Sequence, residues 1–153
     1  MNLEFLDRRL HLKEASRRLV SPVKNVVEEA TGKLRDGVTD NFGRRHVALF
    51  NEKTNRIYLL SRTPEVQSLG RSCGLFVDAI QLDDKKMPQK SLFQIQLPSD
   101  SNFVTQSSLY LLRGMLPKEM LKLAKEIGVA KIVDLHIYAS YLTLLKERYV
   151  RQA

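Results

Sequence analysis

Between Asn41 and Pro98 the apolar residues of this chain stop recurring at every third and fourth position. They run together or alternate instead, and that change of period limits the folds open to the chain. Ser91-Leu92-Phe93-Gln94-Ile95-Gln96-Leu97 is the plainest stretch: Phe93, Ile95 and Leu97 alternate with Gln94 and Gln96, as in a strand with one buried face. Leu75 to Leu82 is a second strand candidate. His46-Val47-Ala48-Leu49-Phe50 and Arg56-Ile57-Tyr58-Leu59-Leu60 flank the polar, turn-like Asn51-Glu52-Lys53-Thr54-Asn55, which predicts a β-hairpin. Asp83 to Gln89, rich in Asp and Lys with Pro88, joins the other two strands. Short connections favour antiparallel pairing, so 45–97 predicts a small, mostly antiparallel sheet of about four strands.

The flanking segments carry helical spacing. Asn2 can cap a first helix with Leu3, Leu6 and Leu10 on one side. Ser21-Pro22 then reads as a new start, Ser at the N-cap and Pro at the first helical position, followed by Val23, Val26, Val27, Ala30 and Leu34. The two segments form an antiparallel pair or one helix kinked at Pro22. Gly32 weakens the last turn by about 1 kcal/mol relative to Ala, and Gly37 ends it. Thr63-Pro64-Glu65, with Val66 and Leu69, reads as a further helix start. Pro98-Ser99-Asp100-Ser101-Asn102 breaks the strand region and offers a hinge. Beyond it Gln106 to Arg113 predicts a short helix, and Pro117 opens the next. The order of helices, strands and helices is α+β in a single domain over 1–153: N-terminal helices, the sheet, and a C-terminal helical layer.

Charge is the strongest global property. Twenty-five Lys and Arg against 17 Asp and Glu give a net charge of +8, which suits a phosphate backbone, an anionic surface or an acidic protein partner. A charge of this size also serves solubility alone. No apolar run is long enough for a membrane span, the N-terminus has interleaved charges in place of a secretory h-region, and Cys73 is the single cysteine. These features lead to the expectation of a cytoplasmic or otherwise intracellular protein.

The sequence calls for no cofactor and no metal. His11, His46 and His136 are far apart and lack ligand-like spacing with carboxylates. Gly70-Arg71-Ser72-Cys73-Gly74 matches G-x-S-x-G, but the nucleophile elbow needs a strand before the Ser and a helix after it, and here the expected order is reversed. Cys73 reads as a small buried apolar residue. A non-enzymatic protein is therefore expected.

Leu116 to Val150 is the stretch closest to a named device. Leu123-Ala124-Lys125-Glu126-Ile127-Gly128-Val129-Ala130-Lys131-Ile132 resembles the core of the helix-turn-helix in many bacterial repressors and activators. The resemblance implies a first helix carrying Leu123, Ala124 and Ile127, a turn at Gly128-Val129, and a second helix with Ile132 and Ile137 inward. Two features depart from the pattern. Asp134 stands where a buried aliphatic belongs, and residues 131–145 are dense in aliphatics where a recognition helix needs polar side chains. The competing readings are two antiparallel helices, or a helix followed by a strand over Lys131 to Tyr138, covering the sheet.

Two functional expectations follow. In the first, a non-catalytic regulatory or accessory protein binds nucleic acid, DNA or RNA, through a positive surface. Arg8, Arg9, Lys13, Arg17, Arg18, Arg44, Arg45, Lys118, Lys122, Lys125 and Lys131 would contact phosphate, with Lys118, Lys122 and Lys125 on one helical stripe. In the second, an adaptor or assembly factor binds an acidic protein partner or a second copy of itself. Its interface would be the apolar C-terminal segment, with Leu142, Leu145 and Tyr149 as contacts.

Overall fold

The computed structural model describes residues 3–63, 74–105, 115–134 and 136, with side chains from Arg18 onward. Helix α1 (Leu3–Leu34) leads into a two-residue strand β1 (Val38–Thr39). Four longer strands follow: β2 (Arg45–Asn51), β3 (Arg56–Arg62), β4 (Leu75–Leu82) and β5 (Pro88–Leu97). A 3-10 turn (Ser101–Phe103), helix α2 (Pro117–Val129) and a short strand β6 (Lys131–Val133) complete the order.

All described strand pairs are antiparallel, in the order β1-β2-β3-β4-β5. The sixth strand, β6, also lies on the outer side of β2, next to Ala48–Phe50, whereas β1 takes Arg45 and His46. The expected hairpin over 46–60 and both later strands are present. The sheet is larger than the four strands expected, because β1 and β6 are too short to leave a periodic signal.

The strands of the expected hairpin read as continuous apolar runs because both faces of the sheet are covered. Val47 and Leu49 of β2, Tyr58 and Leu60 of β3, and Leu75, Val77 and Ala79 of β4 face the helices. Ala48, Ile57, Leu59, Ile80 and Leu82 form a second buried cluster on the other face, with Phe50 and Val133 against it. On β5 the other face carries Gln94 and Gln96, so β5 alone shows clean alternation. A register shift opposite Ala79 and Ile80 leaves Leu92 without a partner residue, and Leu92 packs with Phe93 and Ile95 against the helix-side core.

Of the two layouts expected for this segment, an antiparallel pair or one helix through Pro22, the structure has the second: α1 runs from Leu3 to Leu34 with Pro22 inside it. Interior Pro costs about 3 kcal/mol by removing a hydrogen bond and crowding the preceding turn. The opposing term is larger. Leu19, Val23, Val26, Val27, Ala30 and Leu34 are all buried and keep one phase across Pro22, which is itself buried. Each large aliphatic of that stripe contributes about 1.5–3 kcal/mol. A continuous helix keeps Leu19 in the same buried cluster as the valines.

Helix α2 begins at Pro117 as expected, with Glu119 accepting the Leu116 N–H at 3.4 Å. Met120, Leu123, Ala124 and Ile127 bury its inner face. Directly after it the helix-turn-helix resemblance fails, and the competing reading of a helix followed by a strand holds over Lys131–Val133. Lys131–Val133 is a strand paired with β2, so no second helix starts at 131. Asn51 explains part of the capture, since its side-chain amide donates to the Glu126 carbonyl at 3.1 Å and fixes the end of α2 above β2. The expected helices at 64–69 and 106–113 and the apolar stretch 137–150 lie outside the described residues.

Candidate functional site

The two helices cover the same face of the sheet and meet near their C-terminal ends. Glu29 lies against Gly128, and the Lys33 ammonium donates to the Ala130 carbonyl at 2.8 Å. Burial of one stripe on each helix leaves the opposite stripes in water. On α2 that outer stripe carries Lys118, Lys122 and Lys125, all exposed; on α1 Arg18 and Lys24 are exposed on either side of the buried stripe. Among the described side chains the exposed acids of the two helices are Glu28, Glu29 and Glu119. The ion pairs among the described residues are His46–Asp40, Arg56–Glu126 and Lys131–Glu52, and none of them takes a lysine of the α2 stripe.

Other cations serve the fold. Arg45, expected on a phosphate surface, donates to the carbonyls of Leu34 (2.6 Å) and Arg35 (2.5 Å) and so caps the C-terminus of α1. Arg56 pairs with the buried Glu126 at 3.3 Å and donates to Gln81 at 3.0 Å. Burial raises the Glu126 carboxyl above its ordinary range, and the Arg56 charge offsets only part of that. Lys131 sits 3.4 Å from Glu52 on the surface. Arg8, Arg9, Lys13 and Arg17 lie on α1, but their side chains fall outside the described part, as do Leu142, Leu145 and Tyr149.

Arg44 has a different setting. Its guanidinium carbon lies 6.0 Å from the centre of the Phe76 ring, on the face of the sheet away from the helices. It follows the tight turn Asp40–Gly43, whose tip residue Phe42 is 81% exposed. The sequence reading passed over Phe42. The available signal was an aromatic set among Asp40, Asn41 and Gly43 with no apolar neighbour to pack against.

Clefts also open among the described residues. A groove of about 450 Å³ between the helices is lined by Asn25, Glu28, Glu29, Leu121, Lys125 and Val129, among others. A second of about 430 Å³ opens where β1 and β6 meet the edge of β2. It is lined by Asp36, His46, Ile132, Asp134 and His136, so two histidines that are distant in sequence share one cleft. His46 Nε2 lies 2.9 Å from the Asp40 carboxylate, and the His136 N–H donates to Asp134 at 2.9 Å. The hydrogen bond from His46 is the main cause that holds Asp40 below the usual carboxylate range. Among the described residues no three His, Cys, Asp or Glu side chains are placed to share a metal ion.

Of the G-x-S-x-G match at 70–74 only Gly74 is described, and β4 starts at the next residue, so a strand follows the motif where the elbow needs a helix. No described helix is long and apolar enough to cross a membrane. Comparison with protein-family models, curated proteins and solved structures finds no significant match to this chain.

Proposed function

We propose that the chain is a non-catalytic, basic regulatory or accessory protein that binds nucleic acid through the outer surface of its helical layer. The observation that carries this reading is the α2 stripe: Lys118, Lys122 and Lys125 are exposed side by side, with no acidic partner among the described residues. Arg45, Arg56 and Lys33 are engaged inside the fold, so a phosphate backbone would find its contacts on α2 and on Arg18 and Lys24 of α1. The excess charge of +8 supplies long-range attraction to such a partner.

The test is fluorescence anisotropy with a labelled oligonucleotide, duplex and single-stranded, across about 50–200 mM salt. Binding that falls steeply with salt is expected. Replacing Lys118, Lys122 and Lys125 with Gln should weaken binding to every sequence and reduce the logarithmic salt slope by about two to three. Absence of binding at low salt sinks the reading.

A second reading, a protein-interaction module, is favoured by a different observation. Leu121 and Val129 are 44% and 66% exposed beside the groove between the helices. Under this reading Leu121→Asp and Val129→Asp abolish self-association or partner capture while the monomer stays folded.

A further inference from the structure

Phe42 is the most exposed large apolar side chain among the described residues, and the turn that holds it is tied down at every polar group of one residue. Asp40 Oδ1 accepts the N–H of Phe42 and of Arg44, each at 2.9 Å. The Asp40 carbonyl accepts the Gly43 N–H at 3.1 Å, and the Asp40 N–H donates to the Arg44 carbonyl at 2.9 Å. Asp40 Oδ2 is held by His46 at 2.9 Å. Gly43 completes the turn with φ 77°, a conformation that other residues adopt at a cost.

An aromatic ring presented this way has lost most of the backbone freedom that it would otherwise give up on binding, which is what makes a rigid aromatic an effective anchor. Its neighbours narrow the partner. Arg44, exposed two residues on, places its guanidinium over the Phe76 ring, so flat, weakly hydrated groups gather at this end of the sheet. The tip, Asn41-Phe42-Gly43, offers a single aromatic ring with no aliphatic residue beside it. The Asp40 charge is committed to two amides and an imidazole. What fits a free ring face, a neighbouring guanidinium and an overall positive charge is an unpaired base with its phosphate.

We infer that Phe42 is a stacking residue for a base of single-stranded nucleic acid, with Arg44 beside it as the phosphate or base contact. The inference rests on the nucleic-acid reading above and deepens it by assigning the strand state of the ligand. A duplex keeps its bases stacked on each other and offers Phe42 no ring face.

The experiment compares wild type, Phe42→Ala and Phe42→Trp on a mixed-sequence single strand and on the matched duplex at low salt. Phe42→Ala should weaken single-strand binding about tenfold and leave duplex binding and the salt slope unchanged. The chain contains no tryptophan, so Phe42→Trp creates a single reporter. Its emission should be quenched by the single strand and unmoved by the duplex. Equal affinity of Phe42→Ala and wild type, an equal loss on both ligands, or an unquenched Trp overturns the inference. Phe42 packs on nothing it must hold up, and unchanged thermal unfolding of Phe42→Ala checks that the fold is intact. If the lysine variants lose binding while Phe42→Ala does not, stacking fails and the nucleic-acid reading stands. If wild type binds neither ligand, both fail.

Discussion

Lys33 of α1 donates to the carbonyl of Ala130, 2.8 Å away, so one helix caps the C-terminus of the other. Helix α2 has no basic residue in its own last turn, so this borrowed cation supplies the positive charge at its C-terminus, beside the Asn51 amide on the Glu126 carbonyl. Lys33→Met keeps the aliphatic stem and removes the charge. Its expected cost is about 1 kcal/mol, from one charge-assisted hydrogen bond and the helix-dipole contribution. Urea unfolding measures it; a midpoint equal to wild type would show that water serves the Ala130 carbonyl equally well.

Tyr58 offers the opposite test. It is fully buried between the sheet and the helices, and its hydroxyl has no hydrogen-bond partner among the described residues. The ring fills the core while the oxygen pays for lost water. Tyr58→Phe should therefore leave stability unchanged or raise it by about 1 kcal/mol, whereas Tyr58→Ala, which empties the centre of the core, should cost about 3–5 kcal/mol. A Phe variant less stable than wild type by chemical unfolding would mean that the hydroxyl does have a partner in solution.

These two residues also show where the sequence was readable. The apolar phase of Val23 to Leu34 and of the strands that meet Tyr58 marked the core directly, because burial leaves a period. Arg45 looked like surface charge, and Lys33 and Arg56 gave no signal, since nothing local says that a cation will find a carbonyl or carboxylate from a distant segment. The passage of α1 through Pro22 was one of two layouts that the sequence left open: local chemistry argued for a new start, and the tertiary stripe from Leu19 to Leu34 decided for one helix. The exposed Lys118, Lys122 and Lys125 were legible from spacing alone. Phe42 was not, because an aromatic in a turn gives no period, and its exposure depends on how Asp40 folds the loop.

Arg56 and Glu126 should make stability depend on pH. Burial holds the Glu126 carboxyl above its ordinary 4.5, with Arg56 lowering it only in part. The folded value thus exceeds the unfolded one. The protonated form carries no penalty below the unfolded value, and the penalty grows as pH rises through the folded value. Glu126→Gln should flatten this component: the difference between variant and wild type should shift in favour of the variant as pH rises from about 4 to 7. Arg56→Met, which leaves a buried carboxylate unpaired, should cost about 3 kcal/mol near neutrality and much less in acid. Unfolding curves at several pH values decide this, and a pH-independent Arg56→Met cost would remove Glu126 from the explanation.

Asp40 titrates in the other direction. The hydrogen bond from His46, and then those from the Arg44 and Phe42 amides, favour the charged form and lower its value below 3.8. Its contribution is present above the unfolded value and is lost as pH falls through the folded one. His46→Ala should move the Asp40 carboxyl back toward 3.8 in a carbon-detected NMR titration. Asp40→Ala should release the Phe42 and Arg44 amides to rapid hydrogen exchange, with the core amides of β3 unaffected.

Gly32 and Gly37 stand five positions apart at the end of α1 and should respond to the same change with opposite sign. Gly32 lies within the helix, and a Cβ built there meets nothing within 4 Å. Gly32→Ala therefore gains helix propensity without a clash, about 1 kcal/mol. At Gly37 the chain leaves the helix past the start of β2, and a Cβ would stand 2.2 Å from the His46 carbonyl oxygen and 3.2 Å from that of Leu34. Both are backbone atoms that cannot step aside without moving β2 or the helix end. Gly37→Ala should therefore cost at least about 2 kcal/mol, at the upper end of single substitutions, and it should also disturb the cleft that Gly37 lines with His46. Thermal unfolding of the two variants gives the comparison directly. Similar shifts for both would mean that the chain around Gly37 yields more readily than its backbone contacts imply.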